Sequence, residues 1–296
     1  MASRIGRRKF LATLGGAAVW PFAARAQQRR RIGVLMPFNP GDREGEARRV
    51  VFEQSLHQLG WALGQNVHIE YRLTGSAVES ISRHAAELVA LAPDAIVTAG
   101  ALAPGLLLQA TRTVPIVMVN VPDPVGAGYV QSLARPGGNA TGFTNFEYSM
   151  SGKWVELLKQ ISPGVTRAAV LRNPTAAGSI GLFGAIQSVA QSLGVELTPV
   201  GVRDPDEIEL GVTTFARFAN GGLIVTGGGI ASHRNLIIGL ASRHKLPAVY
   251  PFRYYAEDGG LVSYGPDTLH QFRRAAGYVD RILKGEKPSE LPSTSW

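Results

Sequence analysis

The chain contains no cysteine. That excludes disulfides, thiolate metal sites and a cysteine nucleophile, so stability must come from packing alone. Long hydrophobic runs are almost as scarce. The first 26 residues hold one of about 15 residues, broken by Gly15, Gly16 and Pro21, short of the roughly 20 that a membrane-spanning helix needs. Spacings that mark chemistry are missing too. His57, His68, His84, His233, His244 and His270 form no HExxH or HxH pair, and neither a P-loop nor a dinucleotide fingerprint occurs. Glu207 and Glu209, and Glu257 and Asp258, sit in polar runs that read as solvated faces rather than acid–base pairs. Ser232 and His233 are neighbours in a helical stretch, where adjacent side chains do not face each other, so no dyad is expected. The chain does not read as an enzyme, and neither metal nor cofactor is expected.

What is present begins with an export pattern. Arg7-Arg8-Lys9-Phe10-Leu11 is a twin-arginine pair followed by apolar residues, and Ala24-Arg25-Ala26 has the small-x-small form of a cleavage site. Residues 1–26 therefore read as a signal peptide of twin-arginine type, cleaved after Ala26. They carry five of the 30 basic residues and none of the 22 acidic ones, so the remainder is only +3 where the whole chain is +8. Basicity is thus an export feature, and no nucleic-acid partner is expected. Arg29-Arg30-Arg31 reads as a solvated tail at the new N-terminus.

From Arg31 to Leu283, short β-branched runs alternate with helix-period segments. Ile32-Gly33-Val34-Leu35-Met36, ended by Pro37, is the pattern of a strand buried on both faces of a parallel sheet. Two successive runs of this alternation predict an α/β protein of two doubly wound, Rossmann-like lobes with a ligand cleft between them. Residues 28–120 with about 255–285 are assigned to the first lobe and 121–254 to the second, with 286–296 an irregular, mobile tail. The Pro- and Gly-rich stretch from Val121 to Asn139 reads as the crossing, with a short helix embedded.

In open α/β sheets a ligand sits beyond the carboxyl ends of the strands. That rule selects Phe38, Asn39, Gly100, Ala101 and Asp123, with Asn120 beside them, in the first lobe. In the second it selects Asn173, Gly227 and Tyr250, with Phe252 the alternative to Tyr250. Backbone N–H groups at Ala101 and Gly227 could hold a carboxylate, and Phe38 could stack on an apolar ligand. Asp123 could pair with an ammonium group or serve as a turn residue between Pro122 and Pro124. Gly227-Gly228-Gly229 could receive an anion or form a tight turn. Tyr264 reads as a hinge or packing residue.

Several blocks resemble a known family. They include Gly64-Gln65-Asn66-Val67-His68-Ile69-Glu70-Tyr71-Arg72, Asp123-Pro124-Val125-Gly126-Ala127-Gly128 and Ser132-Leu133-Ala134-Arg135-Pro136-Gly137-Gly138-Asn139. Leu171-Arg172-Asn173-Pro174, Gly259-Gly260-Leu261-Val262-Ser263-Tyr264-Gly265-Pro266 and Arg273-Arg274-Ala275-Ala276-Gly277-Tyr278 continue the set. Together they resemble the substrate-binding proteins of ABC importers, in the branch with tryptophan- and tyrosine-binding members. The resemblance implies a type I periplasmic binding fold and a periplasmic location. It also implies capture of a small solute, an amino acid or aromatic/organic acid, for an ABC permease in the inner membrane. A monomer is expected. A sensing receptor of the same fold, or an exported α/β enzyme, is the alternative. Ala99-Gly100-Ala101-Leu102 stands where the family usually has Gly-Gly-Thr-Pro, and Gly227-Gly228 where an acidic residue usually follows the strand. The family also continues with a strand and helix past the position of Leu291-Pro292, so an exposed edge is expected there.

Overall fold

The computed structural model describes residues 29–145, 148–227 and 230–294. The expected export segment, Gly228 and Gly229 lie outside them. The first run comprises β1 (Arg30–Met36), α1 (Arg43–Gln58), β2 (Val67–Leu73), α2 (Val78–Ala90), β3 (Ala95–Ala99), α3 (Ala103–Ala110), β4 (Ile116–Val121) and β5 (Ala140–Thr144). The second comprises α4 (Tyr148–Ile161), β6 (Arg167–Arg172), α5 (Ala177–Ser192), β7 (Glu196–Gly201), α6 (Pro205–Phe215) and β8 (Gly221–Val225). It continues through α7 (Arg234–Arg243), β9 (Ala248–Tyr250), α8 (Arg253–Glu257) and β10 (Val262–Ser263). A last helix, α9 (Thr268–Leu283), returns to pack on α1 and β4 of the first sheet.

Each run forms a five-stranded parallel sheet, ordered β2-β1-β3-β4-β5 and β10-β9-β8-β6-β7. Taken from β7, the second has the same winding as the first. In both, the sheet grows one way from its first strand and then the other, which opens a crevice at the carboxyl ends beside that strand. Burial explains the strands' composition. All five residues of β3 and of β8 are buried, as helices on both faces require. In the first sheet Leu35, Ile96 and Met118 meet Leu88 and Leu107 on one face. Val34, Val97, Val117 and Val119 join Phe52 and Phe272 on the other. The side-chain period of two divides the sheet between two helix layers. Helix starts are set by capping: Asp42 accepts from the Glu44 N–H, and Asp267 from the N–H groups of Leu269 and His270.

The pairing moves both crossings later in the chain than the sequence reading put them. β5 binds β4 (Ile116↔Ala140, Val117↔Thr141), so residues up to about 145 belong to the first lobe rather than ending at 120. β10 binds β9 (Val262↔Val249), so 255–263 belong to the second lobe. Periodicity could not show this, because sheet membership depends on partners distant in sequence. Between Pro122 and Asn139 the chain forms turns without a helix. The stretch expected as an irregular, mobile tail is docked as far as Thr294. The Leu291 carbonyl accepts from Thr141 Oγ1, that of Pro292 from Tyr278 OH, and Thr294 exchanges backbone bonds with Gly142 and Thr144. That pairing runs along the outer edge of β5 in the first sheet. Arg30 and Arg31 open β1, with Arg30 on the Asp94 carboxylate and Arg31 on the Leu91 carbonyl, and so do not form a free tail.

Candidate ligand cleft between the lobes

A small, partly enclosed cavity of about 40 Å³ lies where the two sets of strand carboxyl ends meet. At roughly 10–15 Å³ for each water, that is room for a few waters. The first lobe supplies Pro37 and Phe38 after β1, Gly100 and Ala101 after β3, Asn120 at the end of β4 and Asn145 after β5. The second supplies Gly227 after β8, Ala231, and Phe252 and Tyr254 around the start of α8. Arg48 of α1 and Phe272 of α9 complete the wall. A larger, open groove of about 410 Å³ lies at the other end of the second sheet, around Lys245, Leu246, Pro247 and Ala248. Tyr250, the last residue of β9, lines this groove and not the cavity between the lobes.

Arg48 dominates the electrostatics. It is 2% exposed, with Nη1 donating to the Glu44 carboxylate and carbonyl and Nη2 to Thr268 Oγ1, each at 2.7 Å. Its guanidinium lies 4.7 Å from the Phe38 ring centre and 5.4 Å from that of Tyr254, so rings from both lobes face one cation. Burial raises the Tyr254 phenol above its ordinary range, keeping it neutral. Asn120 has a left-handed backbone, φ 60°, and its N–H donates to Gln271 Oε1 at 2.8 Å. The same Gln271, fully buried on α9, donates to the Thr144 carbonyl. One amide therefore fixes the ends of β4 and β5 together and sets Asn120 and Asn145 side by side in the wall.

Polar contacts cross the mouth of the cleft. Arg234 of α7 reaches Asp42 of the first lobe at 2.7 Å and Asp258 of the second at 2.6 Å. Burial opposes its charge, but the two carboxylates raise its pKa overall. His233 Nε2 lies 2.8 Å from Ser76 Oγ, again across the lobes, and burial pushes its pKa below the ordinary value. His233 thus meets Ser76, while the Ser232 hydroxyl has no partner among the described residues. At the crossing, Trp154 Nε1 donates to the Tyr264 carbonyl at 2.8 Å.

Of the residues selected from sequence, Phe38, Gly100, Ala101 and Gly227 line this cavity; Asn39, Asp123, Asn173 and Tyr250 do not. Asn39 sits in the turn before α1, its carbonyl accepting from the Asp42 N–H. Asp123 is a turn residue, accepting from the Gly126 N–H and from Tyr148 OH. Asn173 caps its own turn through Thr175 N and Oγ1. Tyr250 stacks on Tyr255 at 5.1 Å inside the second lobe, and burial pushes its phenol up to about 12. Its neighbour Phe252 reaches the wall in its place. Arg48, Asn145, Tyr254 and Phe272 were not selected. The strand-end rule ignores helix faces, and Asn145 follows a strand the sequence did not reveal.

Two like-wound parallel lobes with one cavity between their strand tips define the class of type I periplasmic binding proteins. Residues 43–296 match the family model for ABC transporter substrate binding proteins, and the chain belongs to that family. It is 23% identical over 244 residues to a tyrosine-binding protein of Clostridioides difficile, covering 82% of this chain and 70% of that one. A conserved domain protein from Vibrio cholerae superposes with a TM-score of 0.83 at 26% identity, over 91% of this chain and 90% of the other. A domain from Streptococcus pneumonia in complex with L-Trp superposes at 0.82 with 24% identity, over the same shares.

Proposed function

We propose that this protein is the periplasmic receptor of an ABC importer, binding a small solute by closure of its two lobes and passing it unaltered to a membrane permease. The observation that carries this reading is the shared wall of the cavity. Phe38, Gly100, Asn120 and Asn145 of one lobe face Gly227, Phe252 and Tyr254 of the other. A ligand held there touches both lobes and stabilises their approach, which is the requirement for hinge closure driven by binding. The bonds from Arg234 to Asp42 and from His233 to Ser76 act as clasps that form as the lobes meet. Two crossings, near 145 and 264, supply the hinge. Family membership supports a small-molecule ligand and a permease partner, and the twin-arginine-like segment supports export. The aromatic walls suit an amino acid or an aromatic or organic acid, and no step of chemistry is assigned to any residue.

Mass spectrometry of the small molecule released from the purified protein by mild denaturation tests the reading. A single solute, recovered intact and narrowing the X-ray scattering profile when added back, is expected. Conversion of that solute by the protein would replace the receptor with an enzyme.

A further inference from the structure

Asn120 and Asn145 hold the least explained polar atoms in the cleft. The side-chain Oδ1 of each is buried without a partner among the described residues, and neither amide group bonds any described protein group. Asn145 is 4% exposed, and both residues line the cavity. A buried amide left unpaired costs stability unless a ligand completes it. Arg48, also in the wall, keeps its Nε–H and one Nη2–H without an acceptor among the described residues. The described residues lining the cavity include no carboxylate: Glu44, the partner of Arg48, is not among them. The side-chain groups left unpaired among the described residues thus include one guanidinium edge, two neutral amides and the Tyr254 hydroxyl.

We infer that the cleft selects small carboxylic acids bearing a hydroxyl or oxo oxygen, and discriminates against the matching α-amino acids. This rests on the receptor reading above. A carboxylate would meet the free N–H groups of Arg48. A hydroxyl or oxo oxygen would meet the amides of Asn120 and Asn145, each able to donate and to accept. An ammonium in the same place would be buried beside a guanidinium with no counter-charge among the described residues of the wall, which closure makes more costly. Discrimination thus rests on the neutrality of residue 145. The four aromatic rings, Phe38, Phe252, Tyr254 and Phe272, accept either an aliphatic or an aromatic side group, and hinge travel sets how large it is.

Titration calorimetry on dialysed protein with two matched pairs, L-lactate against L-alanine and L-phenyllactate against L-phenylalanine, tests the inference. In each pair that binds, the hydroxy acid should bind ten-fold or more tightly than its amino acid. The Asn145→Asp variant, nearly isosteric, should reverse that preference. An amino acid binding as tightly as its hydroxy acid overturns the inference, as does an N145D variant that keeps the wild-type order. Failure of all four to bind also overturns it. The receptor reading then stands if another solute is recovered from the protein by mass spectrometry, and falls if the purified chain carries and binds none.

Discussion

At the scale of single residues, the buried cation is the strongest commitment in the molecule. Arg48 is held by Glu44 and Thr268 and lies against two rings, so a neutral side chain of similar length leaves a carboxylate that is itself mostly buried without its partner. Removing one member of a buried pair typically costs about 3–5 kcal/mol. Because Glu44 retains some solvent contact, Arg48→Met is expected to lower unfolding stability by about 3 kcal/mol, read as a shifted urea midpoint. Ligand binding should be lost with it. Arg48 illustrates the limit of sequence reading. A single arginine on an amphipathic helix looks like a solvated surface residue, and only the return of α9 along α1 encloses it. Phe38, Gly100, Ala101 and Gly227 were legible because a strand's end is marked locally, by a proline or glycine closing an apolar run.

At the scale of elements, glycines mark where backbones touch. Gly142 of β5 has φ +144°, and a Cβ there would collide with the Met118 carbonyl of β4. Gly142→Ala should therefore destabilise the protein by about 3 kcal/mol or more, or leave it insoluble, as thermal unfolding will show. Gly178 on α5 is different. A Cβ at that position would lie 2.7 Å from the Pro122 ring of the other lobe, a contact that the proposed opening of the lobes would break. Gly178→Val is expected to wedge the cleft open, weakening solute binding by about ten-fold or more while the melting temperature stays within a few degrees. A melting temperature that collapses together with binding would show that the contact supports the fold itself.

At the scale of the whole molecule, the proposed closure would carry a pH dependence. His233 is half-buried against Ser76 of the other lobe, where desolvation lowers its pKa and Asp204 only partly opposes that; in the proposed open form it would face water. The open form therefore binds a proton more readily than the closed form. Above the ordinary histidine pKa, about 6.5, both forms are neutral at this site and closure is unaffected. As the pH falls below that value the open form gains the proton, and closure weakens. Solute affinity is expected to be flat from pH 8 to about 7 and to fall progressively toward pH 5. In His233→Asn the decline should shrink. An affinity that rises on acidification would exclude this histidine as the cause.

The amino-acid sequence determined the alternation of strands and helices, the parallel character of both sheets and the end of each strand where a ligand can lie. These follow from periodicity, from runs buried on both faces and from punctuating prolines and glycines, all local properties of the chain. Tertiary structure decided which sheet β5 and β10 join, that residues up to Thr294 dock along β5, and that Asp123 and Asn173 serve their own turns rather than the cavity. It also decided that Arg48, Asn145, Tyr254 and Phe272 converge on one cavity. The physical reason is that a helix-borne side chain acquires its neighbours from long-range packing, and a short strand acquires its sheet from whichever edge is free to bond it. Neither is written in the residues beside it.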